Sequence, residues 1–292
     1  EAYLGGQAVG AAVVDILFGK VNPSGKLPET FPYQLEDNPS YLYYSGEGDR
    51  VEYREGVFVG YRYYDKKKMA VRFPFGYGLS YTTFAYSEPK LSAGRIRDTD
   101  TVTIRVDVTN TGSRTGKEVV QLYVSAPDSK VIRPVRELRG FDKIELAPGE
   151  TKMVSFTLDM RAFAYWNTDI HDWYVESGKY LIQIGGSSRD IAIEQEVYVE
   201  STRKLPRHYT MDTPFGDLMD DPEAMELLAP LMHIDFLEKK ENEDTTDAAA
   251  EAITAEMQAA MMKYMPLRGS FSFAAGSVTP QQIQEVLDKL NG

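Results

Sequence analysis

The sequence predicts a mixed, mainly β chain: an antiparallel β-sandwich lies between the end of an α/β layer and a helical tail. Three observations predict this arrangement. Short segments in the middle of the chain alternate apolar and polar residues, a nearly all-apolar helix precedes them, and capped helical segments follow them. Alternation with a period of two is typical of strands that bury one face.

Residues 1–35 are predicted to be the end of an α/β domain. Residues 5–18 are small and apolar on most sides, with one acid, Asp15. A helix that is apolar almost all round must be covered by other elements. Gly19 stands where a glycine commonly ends a helix. Because so short a segment cannot bury this helix unaided, we expect its partner layers to come from sequence outside this chain or from another chain.

Residues 36–83 are rich in Tyr and Gly and are predicted to form a structured connector. The runs at 57–59 and 61–64 suggest hairpins, and residues 73–81 suggest a packed loop. Tyrosine presents a stacking face and a hydroxyl together, which suits sugar recognition. It also fills half-exposed β surfaces, so both interpretations stay open.

Residues 84–200 carry the clearest strand pattern. Apolar residues alternate with polar ones at Val102, Ile104, Val106 and Val108, and again at Val120, Leu122, Val124, Val154, Phe156 and Leu158. Pro148 and Gly149 occupy the two central positions of a predicted type II turn. Short strands that are regularly separated by turn signals indicate an antiparallel β-sandwich.

Residues 201–292 are predicted to form a helical tail. Asp221 and Pro222 are typical of a helix start, and Thr279 with Gln282 forms a capping-box pattern. The residues that follow make one apolar stripe, which needs a surface to pack on: Ile283, Val286, Leu287 and Leu290. The acidic stretch near 238–247 lacks apolar residues and is predicted to be disordered.

Composition argues against several classes of protein. A net charge of −12 disfavours nucleic acid and anionic membranes as partners, and no stretch approaches the length of a membrane helix. The chain has no Cys and three scattered histidines, His171, His208 and His233, so we expect no metal site and no cofactor. The absence of Cys favours a bacterial cytoplasm but also fits many secreted proteins, and the compartment stays open. The chain does not begin with Met, so a signal peptide is unobservable.

Several motifs together resemble glycoside hydrolase family 3. They occur in the family's order over residues 1 to about 200, at 4–7, 15–19, 22–28, 30–32, 53–65 and 73–81. Residues 138–141 and 146–151 resemble the family's fibronectin type III-like domain. The resemblance thus implies that the sandwich at 84–200 is fibronectin type III-like. Motifs at 215–218 and 264–268 resemble extensions of some bacterial members.

The resemblance implies a β-glucosidase-like enzyme that hydrolyses terminal β-linked sugars with retention of configuration. In the family, a TIM-like barrel carries an Asp nucleophile and an α/β sandwich carries a Glu acid/base. Retaining hydrolysis needs two such carboxyl groups about 5 Å apart. Both lie upstream of the helix at residues 5–18, so we expect no catalytic residue on this chain and no activity from it alone. The expected partners are those domains, in the same enzyme or a companion chain, and a β-linked glucoside or oligosaccharide. The sugar and its linkage stay open.

The most site-like cluster lies on a predicted loop of the sandwich. Asp169 and Asp172 bracket His171, and Trp166 and Trp173 flank them. One interpretation is a rim that touches substrate or a neighbouring domain. The other is a solvent-facing loop that its two Trp rings anchor.

Two further charged positions are predicted to be structural. Glu55 matches a family motif position, and we expect it to pair with a neighbouring Arg rather than act in catalysis. Lys26 lies in a segment with Gly and Lys, but the glycine spacing of a phosphate-binding loop is absent. We expect Lys26 to form a salt bridge with its stem buried.

Two rival functions stay open. One is a non-catalytic carbohydrate-binding or adhesion module built on the sandwich, although such a module has no use for the apolar helix at residues 5–18. The other is one subunit of a split hydrolase whose barrel is on a second polypeptide. The tail helices leave homo-oligomer formation open as well.

Overall fold

The computed structural model describes residues 1–219, 221–232, 260–261, 263–272 and 279–292. They form two compact units, residues 1–204 and residues 205–292. The acidic stretch predicted to be disordered, near 238–247, lies outside the described residues.

The first unit begins with helix α1 (Val9–Leu17), which ends as the sequence predicts. Gly19 has a φ of 70°, and its amide donates a 2.9 Å hydrogen bond to the carbonyl of Ile16. A left-handed residue of this kind is a common helix end. Helix α1 buries none of its residues within the chain, and most of its large apolar side chains are exposed: Val9, Val13, Val14 and Leu17.

The connector contains a 3₁₀ helix (Leu35–Asp37) and helix α2 (Tyr61–Lys66). The hairpins predicted at 57–59 and 61–64 are therefore wrong, because residues 57–59 lie in a turn and an irregular segment and residues 61–64 belong to α2. Tyr61 and Tyr64 are both buried, and residues three apart share one face of a helix. Tyr61 stacks on Phe75 with ring centroids 4.7 Å apart, and this packing, which a local pattern does not reveal, favours the helix.

The sandwich follows in eleven strands and one short helix. Their bounds are β1 (Phe84–Tyr86), β2 (Lys90–Leu91), β3 (Arg95–Arg97), β4 (Val102–Asn110), β5 (Gly116–Ser125), β6 (Glu137–Leu146), β7 (Thr151–Leu158), α3 (Met160–Phe163), β8 (Tyr165–Asn167), β9 (Asp172–Tyr174), β10 (Gly178–Gly185) and β11 (Ile191–Glu200). In one sheet β4 pairs with β1, β2 and β7; the other has the order β3-β11-β10-β5-β6. Strands β8 and β9 form a separate hairpin, and β3 and β11 pair in parallel while the other pairs are antiparallel.

The predicted alternation is confirmed in the sandwich core. Inward residues of both sheets are almost fully buried, among them Val102, Ile104, Val106, Val108, Val120, Leu122, Ile182, Ile184 and Val197. The type II turn is also confirmed, because Gly149 has a φ of 75° and the amide of Glu150 donates to the carbonyl of Ala147 at 3.0 Å. The mixed, mainly β fold class is correct.

From Val120 to Ser125, strand β5 is buried on both faces, because the connector covers its outer side there. The ring of Tyr123 meets that of Tyr61 edge to face, with centroids 6.2 Å apart. The amide of Gln121 donates to the carbonyl of Gly76 at 3.1 Å and to that of Gly186 at 2.6 Å. The connector and the sandwich are therefore packed together within this unit.

The second unit contains helices α4 (Phe215–Met219), α5 (Pro222–Met232) and α6 (Pro280–Asn291), and a 3₁₀ helix (Leu267–Ser272). Thr279 and Gln282 form the predicted capping box. The predicted stripe is buried in a small core: Phe215, Leu218, Ala224, Leu228, Leu267, Ile283, Val286, Leu287 and Leu290. The stripe therefore finds its surface inside this unit.

Candidate functional site

The hairpin of β8 and β9 brings the two tryptophans together. Trp166 lies directly opposite Trp173, and their rings meet edge to face with centroids 5.6 Å apart. The guanidinium of Arg161 lies 3.3 Å from the centroid of Trp173 and packs on that ring. Trp173 is half-buried, whereas Trp166 is 49% exposed and presents a free aromatic surface.

The candidates Asp169, His171 and Asp172 of this hairpin have separate surroundings. Asp172 forms an ion pair with Arg203 at 2.8 Å, and the hydrogen bond from Arg203 lowers the pKa of its carboxyl. The backbone amide of Asp169 donates to the side chain of Asn167 at 2.9 Å, and His171 has a left-handed φ of 47° at the turn. The ion pair with Arg203 favours the ionised form of Asp172 over the protonated form that the acid of a glycoside hydrolase needs.

The carboxyl group of Asp65 is shifted in the opposite direction from that of Asp172, because its pKa is raised. Burial raises its pKa, although the guanidinium of Arg189, 2.6 Å away, acts in the other direction. Its side chain is only 9% exposed, so the ion pair closes it off from a sugar. We interpret Asp65 as a structural residue that holds α2 against the segment after β10.

The connector forms a solvent-open groove with a volume of about 690 Å³, which we call the tyrosine groove. It is lined by Glu36, Asn38, Pro39, Tyr41, Leu42, Tyr43, Arg54, Glu55, Phe58, Tyr63, Lys66 and Lys67. The sequence alone does not single out this groove as a site. The density of Tyr between residues 41 and 64 is the signal that could have found it.

The expected pairing of Glu55 with a neighbouring Arg is wrong. Arg54 instead pairs with Glu52 at 2.7 Å, and its guanidinium lies 4.7 Å from the centroid of Tyr43. The Tyr43 ring thus holds the guanidinium beside Glu52. Glu55 is half-buried in the tyrosine groove, and within the described ranges its carboxylate has no hydrogen-bond or ion-pair partner.

Lys26 forms the predicted salt bridge. Its ammonium lies 3.2 Å from the carboxylate of Glu118 at the start of β5, and both side chains are largely buried. The segment at 22–28 is therefore a structural junction between the N-terminal part of the unit and the sandwich.

In the part of the chain that the structure describes, no group of three or more His, Asp or Glu side chains could hold a metal ion. No helix among those residues is long and apolar enough to cross a membrane.

Comparisons with known proteins agree with this architecture. Residues 1–81 match the model of the glycosyl hydrolase family 3 C-terminal domain, and residues 118–188 match that of the fibronectin type III-like domain. The thermostable β-glucosidase B of Acetivibrio thermocellus is 50% identical over 293 residues, which cover 100% of this chain and 38% of that protein. A β-glucosidase of Kluyveromyces marxianus is 49% identical over 68% of this chain and 23% of its own length.

Solved structures give the same result. A family 3 β-glucosidase of Bifidobacterium adolescentis has a TM-score of 0.70 and 44% identity, covering 78% of this chain and 33% of its own. The Kluyveromyces marxianus β-glucosidase in complex with glucose has a TM-score of 0.62 and 49% identity, covering 67% and 23%. This chain thus spans less than two fifths of the relatives it matches. The chain belongs to glycoside hydrolase family 3 and corresponds to the C-terminal region of its β-glucosidases.

Proposed function

We propose that this chain is the C-terminal portion of a retaining, exo-acting β-glycosidase that hydrolyses terminal β-linked sugars. The catalytic Asp and Glu would lie on upstream domains or on a companion chain. The alignment supports this proposal, because the whole chain matches a β-glucosidase while spanning 38% of that protein. The proposal keeps four segments, 1–35, 36–83, 84–200 and 201–292, as the domain organisation.

The observation that carries the proposal is the apolar surface of α1. Leu17 is 69% exposed and Phe18 just after the helix is 85% exposed, while no residue of α1 is buried. Exposed apolar surface of this extent marks an interaction surface. Helix α1 suits a scaffold role, in which it packs on the layer that carries the acid/base Glu.

The carboxyl groups of the β8–β9 hairpin fit a scaffold role for this chain, with the catalytic residues on other domains. Retaining hydrolysis needs one ionised carboxylate and one carboxyl group that holds a proton, about 5 Å apart. Asp172 is tied to Arg203 in its ionised form. We therefore place Trp166, Asp169, His171, Asp172 and Trp173 at a substrate or domain rim rather than in the reaction.

The sugar specificity is left to the remaining domains. An exo-α-(1→6)-L-arabinopyranosidase of Bifidobacterium breve is 44% identical over 78% of this chain, close to the identity of the β-glucosidases. Relatives named for different sugars thus share this region. Within the proposal, a β-glucoside is the substrate to test first.

A chimera tests the proposal. The matching 293 residues of the Acetivibrio thermocellus β-glucosidase B are replaced with this chain, and release of p-nitrophenol from the β-glucoside is measured. We expect the chimera to hydrolyse the glucoside and this chain alone to release nothing. Turnover by the chain alone, or a folded but inactive chimera, would contradict the proposal.

The exposed ring of Trp166 favours a second candidate, a non-catalytic carbohydrate-binding module. A folded chimera without activity, together with glycan binding that the Trp166→Ala substitution abolishes, would favour this candidate. Association of two copies stays a separate prediction, and light scattering of the purified chain checks it.

A further inference from the structure

We infer that the tyrosine groove binds a pyranose unit of a β-linked oligosaccharide. The choice of a β-linked sugar rests on the proposed function, whereas the groove itself rests on the contacts described below. Its volume of about 690 Å³ lies within the ~300–1,000 Å³ that is typical of small-molecule sites.

The groove presents aromatic rings that neighbouring residues hold in place. Tyr63 meets the buried Tyr64 edge to face at 5.4 Å, and the ammonium of Lys67 donates to the Tyr63 hydroxyl at 3.0 Å. Tyr43 is half-buried, and the guanidinium of Arg54 packs on one face of its ring only. A sugar packs the C–H face of its ring on such aromatic rings, and rings held before binding lose little conformational entropy.

The groove also carries hydrogen-bonding groups with unused capacity. The carboxylate of Glu55 has no partner in the described part of the chain, although it is half-buried. The side-chain oxygen of Asn38 accepts from Ser40 at 2.8 Å, so its amide group is left to donate elsewhere. A carboxylate that accepts and an amide that donates, beside aromatic rings, match the adjacent hydroxyls of a pyranose.

The charges of the groove favour an uncharged ligand. Glu36 and Glu55 line it together with Arg54, Lys66 and Lys67, and Arg54 is already paired with Glu52. A polyanion such as a nucleotide needs concentrated positive charge, which this mixture does not provide. An apolar ligand would leave the Glu55 carboxylate without a hydrogen bond.

The test is isothermal titration calorimetry, in which cellotetraose is titrated into the full 292-residue chain. We expect binding in the millimolar range, and we expect Tyr43→Ala to weaken it roughly fivefold through the loss of one aromatic contact. Glu55→Gln is also expected to weaken binding; it changes an unpaired carboxylate and so keeps the test valid if Tyr43→Ala does not fold. Tyr44→Ala is the matched control, because Tyr44 is the next residue, is 80% exposed and does not line the groove.

Three outcomes would overturn the inference. The first is that the folded chain does not bind cellotetraose. The second is that Tyr43→Ala and Tyr44→Ala weaken the affinity for cellotetraose equally. The third is that Trp166→Ala abolishes binding while Tyr43→Ala and Glu55→Gln retain it. The chimera separates this inference from the proposed function. An active chimera with no cellotetraose binding by the chain removes the inference alone, whereas binding by the chain with an inactive chimera removes the proposed function alone.

Discussion

The ammonium of Lys26 lies 3.2 Å from the carboxylate of Glu118, and this ion pair joins two segments that match different family models. The hydroxyl of Tyr86 donates to the same carboxylate at 3.0 Å. Burial, reinforced by the negative charge of Glu118, raises the pKa of Tyr86 far above its ordinary value, so the hydroxyl keeps its proton. The turn that carries Lys26 is thereby anchored to β5.

Lys26→Met should lower the free energy of unfolding of the first unit by about 2 kcal/mol, because it leaves the largely buried Glu118 without its cation. Both tryptophans of the sequence lie in this unit, so their fluorescence during urea unfolding reports it specifically. Lys20→Met is the control, since the Lys20–Asp15 pair is 76% and 36% exposed and should change the free energy by less than ~0.5 kcal/mol. Equal effects of the two substitutions would contradict the structural role of Lys26.

Gly76→Ala should destabilise the same unit by about 2 kcal/mol. Gly76 has a φ of 79°, and an added Cβ would overlap with the amide oxygen of Gln121. That side chain also holds the carbonyls of Gly76 and Gly186, so its displacement breaks both hydrogen bonds. Gly10→Ala is the matched control, because open space surrounds Gly10 in α1 and alanine favours a helix. Urea unfolding should show a loss for Gly76→Ala and none for Gly10→Ala.

Stability should fall as the pH rises from about 10 to about 12, in part through Tyr180. Burial raises the pKa of Tyr180 to about 12, whereas an unfolded tyrosine titrates near ~10. The unfolded chain therefore releases this proton first, and the stabilisation present below pH ~10 is lost as the pH approaches 12.

Tyr180→Phe should make this alkaline decline shallower, at the cost of about 1 kcal/mol at neutral pH for the lost hydrogen bond to Glu176. The shift of the tryptophan emission maximum in urea, measured from pH 8 to 12, checks it. Tyr44→Phe, at an 80% exposed position, should leave the pH profile unchanged. An unchanged slope in Tyr180→Phe would show that this hydroxyl is not the group that titrates.

The apolar surface of α1 should bind a hydrophobic dye. We expect the double substitution Leu17→Lys and Phe18→Lys to reduce anilinonaphthalene sulfonate fluorescence at least twofold, because it removes two of the most exposed apolar side chains of that surface. Ile132→Lys is the control, since Ile132 is equally exposed, at 78%, but lies far along the chain from α1. Dye binding that the double substitution leaves unchanged would count against α1 as a docking helix.

The sequence alone was sufficient to predict the elements in which buried residues recur with a fixed, short period along the chain. The alternation in β4 and the stripe of α6 from Ile283 to Leu290 each follow one period, and each is buried as predicted. Helix α2 was not predictable in this way. Its Tyr61 packs on Phe75 and Tyr123, which are distant in the chain, and such contacts decide between a helix and a hairpin.

The candidate sites divide along the same line. The proximity of Trp166 and Trp173 could be predicted, because they lie on either side of one turn. The pairing of Asp172 with Arg203 could not, since the two residues are 31 positions apart. The free carboxylate of the tyrosine groove could not be predicted either, because both Glu52 and Glu55 lie close to Arg54 in the sequence. Arg54 pairs with Glu52 while its guanidinium packs on the Tyr43 ring, and Glu55 is left without a partner in the described chain.

The central claim is that the catalytic carboxylates are not on this chain. It is tested most directly by trapping the covalent intermediate with a 2-deoxy-2-fluoro β-glucoside, which labels the nucleophile of a retaining glycosidase. The chimera is incubated with this reagent, digested and analysed by mass spectrometry. We predict that the label lies on a peptide upstream of this chain, and that the 32.9 kDa chain alone takes up none. A fluoroglucosyl label on Asp169, Asp172, Glu55 or any other residue of this chain would contradict the claim.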